Sequence, residues 1–61
     1  MKNSNIKSMI TRYVYLKLEN DKKESKLLQS AMKRLADEYK NEIGFDIEDS
    51  KAFIEGYKNK K

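Results

Sequence analysis

An all-α fold is what this 61-residue sequence predicts: a small three-helix bundle, or a helical hairpin with a docked third helix. Three observations lead there. Apolar residues in the middle of the chain recur at steps of three and four, the period that gathers them on one side of a helix. The chain has no proline and only two glycines, Gly44 and Gly56, so little interrupts a helix. The third observation weighs against disorder. Charged residues make up 39% of the chain and its mean hydropathy is −0.99, close to an unfolded composition, yet the apolar residues stay clustered and periodic.

The central helix is the clearest element. Asp21 and Glu24 stand in the D-x-x-E spacing of a helix-start capping box. Leu27, Leu28, Ala31, Met32, Leu35, Ala36, Tyr39 and Ile43 then fill one half of a helical wheel, and Gly44 follows as a C′ glycine should. The spacing predicts a helix over 22–43. A shorter helix is expected over 47–58, with Asp46 as N-cap, Glu48 and Asp49 in its first turn, and Ile47, Ser50, Ile54 and Tyr57 on one stripe beside Phe53. Gly56 works against it, because glycine costs roughly 1 kcal/mol inside a helix.

The first element reads two ways. As a helix over 4–19 it puts Ile6, Met9, Ile10, Tyr13, Val14 and Leu16 on one arc, with Tyr15 outside it. As a strand over 10–18 it alternates Ile10, Val14, Leu16 and Leu18 with Thr11, Tyr13, Tyr15, Lys17 and Glu19, and its β-branched and aromatic content suits that too. The helix explains the longer stretch and is preferred, with a break at Asn20-Asp21. The expected core is Ile6, Ile10, Tyr13, Leu28, Met32, Leu35, Tyr39, Ile43, Ile47, Phe53 and Ile54.

In the strand reading the order strand–helix–helix, with the closing stretch Ser50–Lys58, resembles a ribbon-helix-helix DNA-binding dimer. That resemblance implies Thr11, Tyr13, Tyr15 and Lys17 as base readers. The sequence departs from the family in its first helix, about two turns too long, and carries none of its specific motifs.

Size bounds the rest. A chain of 61 residues makes one small domain, residues 1–61 with frayed ends, and buries only about 60% of its unfolded surface. With no cysteine to staple it, good helix packing or a homodimer is the expected source of added stability. No export signal or membrane span is read, and the absence of cysteine fits a cytoplasmic protein. With neither His nor Cys, no G-x-S-x-G elbow and no glycine-rich phosphate loop, the expectation is a non-enzyme with no catalytic residue, metal or cofactor.

Charge placement points to partners. Residues 1–18 carry +4, residues 19–50 carry −3 and residues 51–61 carry +3. If the two ends meet they form one basic patch suited to phosphate backbone, built from Lys2, Lys7, Arg12, Lys17, Lys58, Lys60 and Lys61, with Tyr15 as a stacking platform. Tyr13, on the apolar arc, is read as core. Lys26, Lys33 and Lys40, with Lys22 near their line, read as a solvated outer face. The first functional expectation is therefore a small regulator binding DNA or RNA. The alternative is a protein-binding adaptor or inhibitor using the seam Leu28, Met32, Leu35 and Tyr39, whose four–three steps equally suit an internal contact. A third is a structural component whose dimer is its function.

Overall fold

The computed structural model describes the backbone of residues 2–60 and the side chains of residues 6–60. It is all-helical: α1 spans Lys2–Lys22, α2 spans Lys26–Ile43, a single 3-10 turn spans Ile47–Asp49, and α3 spans Lys51–Lys60. No strand occurs among the described residues, so the ribbon-helix-helix alternative is set aside. Residues 10–18 are helical because Ile10, Tyr13 and Val14, at i, i+3 and i+4, are all buried in the core, where α1 packs on α2 and α3. Tertiary packing overrides the β-leaning composition of that stretch.

Each helix starts or stops a few residues from its expected place, for a local reason. α1 runs through Asn20-Asp21 to Lys22 instead of ending at 19. Asn20 turns the chain from inside the helix: its Oδ1 accepts the Ser25 N–H at 3.0 Å. Ser25 then caps α2 in extended conformation (φ −147°, ψ 130°), its Oγ accepting the Leu28 N–H at 3.5 Å. The Asp21/Glu24 capping box is thus not used, and Asp21 instead accepts a hydrogen bond from the Tyr57 hydroxyl. At the other end of α2, Gly44 holds φ 108° and its N–H bonds the Lys40 carbonyl at 2.8 Å, the closing glycine expected from the sequence.

Asp46 does act as a cap, but of the 3-10 turn: its carboxylate accepts the Glu48 N–H at 3.0 Å. Ser50, extended at ψ 135°, breaks the chain again and its Oγ accepts the Phe53 N–H at 3.4 Å to begin α3. This break moves the helix from 47–58 to 51–60 and resets its phase. Phe53 and Tyr57 now face inward, while Ile54, expected in the core, is 48% exposed.

The buried core is Ile10, Tyr13, Val14, Tyr39, Ile47 and Phe53, with Ile6, Met9, Met32, Leu35 and Ile43 among the half-buried residues packed on it. Val14 was not in the expected core, and Leu28 is half-buried outside the cluster. α2 returns antiparallel to α1, and α3 lies along α1 in the same direction. That direction follows from three contacts: Tyr13 meets Phe53 edge-on with ring centroids 5.3 Å apart, Val14 lies beside Gly56, and Asp21 meets Tyr57.

The two glycines answer opposite tests. A Cβ built on Gly56 would sit 3.5 Å from Val14 Cγ2, ordinary contact, so Gly56→Ala is expected to stabilise the protein by about 0.5–1 kcal/mol through helix propensity. Gly44→Ala forces a side chain to φ 108° and is expected to cost about 1–2 kcal/mol. Thermal unfolding followed by circular dichroism should move the two midpoints in opposite directions; a lower midpoint for Gly56→Ala would show that α1 and α3 pack more tightly there.

Candidate nucleic-acid interface

The expected basic patch does not assemble. α3 runs parallel to α1, so its last turn with Lys58 and Lys60 lies beside Asp21 and Lys22, at the far end of α1 from Lys2. At 1.5 Å per residue, the level of Lys2 is about 28 Å from that of Asp21. The Lys2 side chain and all of Lys61 lie outside the described residues. Lys7, Arg12 and Tyr15 are exposed along the first two thirds of α1, where Glu38, Asn41 and Glu42 of α2 line the same shallow groove. That groove carries both signs of charge. Lys17 has local partners: its Nζ is 3.7 Å from Glu48 Oε2 and 5.6 Å from the centre of the Tyr57 ring.

The fold brings different lysines together. α1 ends at Lys22, Lys23 follows, α2 begins at Lys26, and α3 ends with Lys58 and Lys60 beside them. All five are exposed. Three of them, Lys22, Lys58 and Lys60, sit in last helical turns, where the helix dipole favours cations. Asp21 and Glu24 are the acids nearest in sequence to this pole, and Asp21 is engaged by Tyr57. Lys33 and Lys40 extend the row from Lys26 along the exposed side of α2, as the sequence reading had it. The pole was illegible from sequence because it depends on the direction in which α3 docks. The adjacent pair Lys22-Lys23 at a helix corner was its one visible trace.

The aromatic residues divide clearly. Tyr15 is 63% exposed and shares a stripe of α1 with Lys22, seven residues on. Tyr13 is core: it is 5% exposed, packs edge-on against Phe53, and its hydroxyl donates to Glu48 Oε2 at 2.5 Å. A base-reading role for Tyr13, as the ribbon-helix-helix resemblance implied, is incompatible with that burial.

Burial, then the hydrogen bond to Glu48 and the negative charges of Glu48 and Asp46, hold the Tyr13 phenol well above its ordinary pKa of 10.0. The folded chain therefore keeps a proton that the unfolded chain loses. The resulting stability is complete below pH 10 and is lost as the pH rises from there toward the raised folded value. Tyr13→Phe is expected to cost about 1 kcal/mol near neutrality, for the lost hydrogen bond. It should also blunt the alkaline loss of stability, which urea unfolding between about pH 9 and about pH 12 would measure. Equal alkaline slopes in the two proteins would count against Tyr13 as the source.

The four-residue apolar seam is largely internal. Tyr39 is buried, Met32 and Leu35 pack on the core, and Leu28 is half-buried. The apolar surface that remains open lies beside it: Leu27 is 84% exposed, and it lines a second depression with Ala31, Arg34 and Arg12. Leu35 and Glu38 border this depression and the α1–α2 groove alike, so the two form one continuous face.

No family model matches the chain, nor does any curated protein or any solved structure. Among the described residues no group of three His, Cys, Asp or Glu side chains could hold a metal ion, and no helix is long and apolar enough to cross a membrane.

Proposed function

We propose that this protein is a small non-enzymatic nucleic-acid-binding protein that grips phosphate backbone through the lysine pole Lys22, Lys23, Lys26, Lys58 and Lys60. The observation that carries the reading is the parallel docking of α3 on α1, which brings Lys58 and Lys60, near the C-terminal end of the sequence, to the α1–α2 corner that holds Lys22, Lys23 and Lys26. Clustered exposed cations release counterions from a nucleic acid on binding, and that release drives sequence-independent affinity. Tyr15, exposed on the stripe of Lys22, adds a surface on which an unpaired base can stack. Support for this reading is electrostatic, so its test is the dependence on salt.

Fluorescence anisotropy of a labelled duplex and a labelled single strand, titrated at several salt concentrations, makes that test. If all five lysines contact phosphates, the log–log slope on duplex is about −4 to −5. Replacing Lys22, Lys23 and Lys26 together by Gln should flatten it by about 2.7, at about 0.9 per phosphate contact. Replacing Lys7 and Arg12 by Gln should leave the slope nearly unchanged. An absence of binding at low salt, or a slope that responds to Lys7 and Arg12 and not to the pole, would overturn the reading. Sequence preference, which a transcriptional regulator needs, is the next question once phosphate contact is established.

The alternative is a protein contact through the face that Leu27 and Tyr15 leave open, and the exposure of Leu27 is what favours it.

A further inference from the structure

We infer that the α1–α2 face is the contact surface for a second copy of this chain, paired antiparallel about a two-fold axis. α2 carries two adjacent seams of the same four–three–four spacing. Met32, Leu35 and Tyr39 turn toward the core with Leu28 half-buried on their line, while Leu27, Ala31, Arg34 and Glu38, each one position earlier, form the neighbouring stripe. The second seam lines the open depression and includes the 84%-exposed Leu27.

The order of charge on that stripe selects the occupant. Arg34 precedes Glu38 by one turn, and among the described residues neither is in an ion pair. A two-fold axis crossing α2 near Ala36 reverses the order in the second copy. Arg34 then faces Glu38 of the other chain, and the same pair forms again on the other side of the axis. Self-complementarity of this kind is a property of isologous pairing; a stripe with charges of one sign would have repelled its own copy.

The core is small: among the described residues Ile47 is the largest fully buried side chain, and a domain of this size commonly gains stability by association. Tyr15 lines the same face, so pairing competes with base stacking there and is measured without nucleic acid.

Sedimentation equilibrium without nucleic acid, from low to high micromolar protein, tests it. The expected mass rises with concentration from that of the 7.2 kDa chain toward twice that value. Leu27→Glu should hold the protein at the monomer mass while leaving its helical circular dichroism intact, since an exposed side chain is being changed. Arg34→Glu and Glu38→Arg should each weaken association at least about tenfold, and an equimolar mixture of the two variants should restore it. A chain that is monomeric throughout the range overturns the inference and leaves the face to a different protein. Association that survives both Leu27→Glu and the charge reversals overturns it equally, by locating the contact elsewhere.

Discussion

Phe53→Ala is expected to destabilise the protein by about 3–5 kcal/mol, enough to leave much of the chain unfolded at room temperature. The size of the effect comes from where the ring sits. Phe53 is 5% exposed, edge-on to Tyr13 at 5.3 Å and stacked on Tyr57 at 5.6 Å with the planes 9° apart. Removing it therefore opens a cavity and also deprives two other aromatic residues of their neighbour. The contact with Tyr13 joins α3 to α1, and the stack on Tyr57 orders the face of α3 that meets it. A domain of this length has a total stability of roughly 3–9 kcal/mol by the usual per-residue range, so one such loss is comparable with the whole. Phe45→Ala is the matched control: Phe45 also meets an aromatic edge-on, Tyr39 at 5.8 Å, but is 45% exposed and should cost far less. Urea unfolding monitored by circular dichroism separates the two. If both variants lost stability equally, the aromatic stack would not be the centre of the fold.

How far the sequence could be read depended on whether each signal was local. α2 was legible because its amphipathic period runs unbroken over 18 residues and ends at a glycine that takes a left-handed φ. Its start was misplaced because two capping signals overlap. Asp21 and Glu24 match the box, but Asp21 lies within α1 and bonds Tyr57, 36 positions away, a contact no local pattern encodes. The helical reading of residues 10–18 held for a reason present in the sequence, the i, i+3, i+4 spacing of Ile10, Tyr13 and Val14. Tyr13 as core was legible by the same spacing, and so was the exposure of Tyr15. The charged surface was not. Counting charge along the chain finds two basic ends, but which lysines become neighbours depends on the direction of α3, set by Phe53 against Tyr13 and Tyr57 against Lys17. The apolar seam on α2 turns largely inward for a similar reason. Leu28, Met32, Leu35 and Tyr39 are the regular apolar set, and regularity in so small a chain is consumed by the core.

Ile47→Ala should cost about 2–5 kcal/mol, whereas Ile54→Ala should stay within about 0.5 kcal/mol of the parent. The two isoleucines shared one stripe when residues 47–58 were read as a single helix, and that reading predicts comparable losses. The break at Ser50 separates them. Ile47, in the 3-10 turn, is fully buried between α2 and α3, while Ile54, in the reset phase of α3, is 48% exposed. The turn matters beyond its own burial, because it also positions Glu48, whose carboxylate accepts the Tyr13 hydroxyl and faces Lys17. A cavity at Ile47 loosens the seat of that carboxylate, so Ile47→Ala should also bring the alkaline loss of stability closer to that of Tyr13→Phe. Ile47→Val, which removes one methyl group, is expected to cost about 0.5–1.5 kcal/mol and to keep the alkaline behaviour of the parent. Comparable losses for Ile47→Ala and Ile54→Ala would mean that the helix is continuous through Ser50 in solution, and the phase of α3, on which the inward stacking of Phe53 and Tyr57 rests, would have to be reassigned.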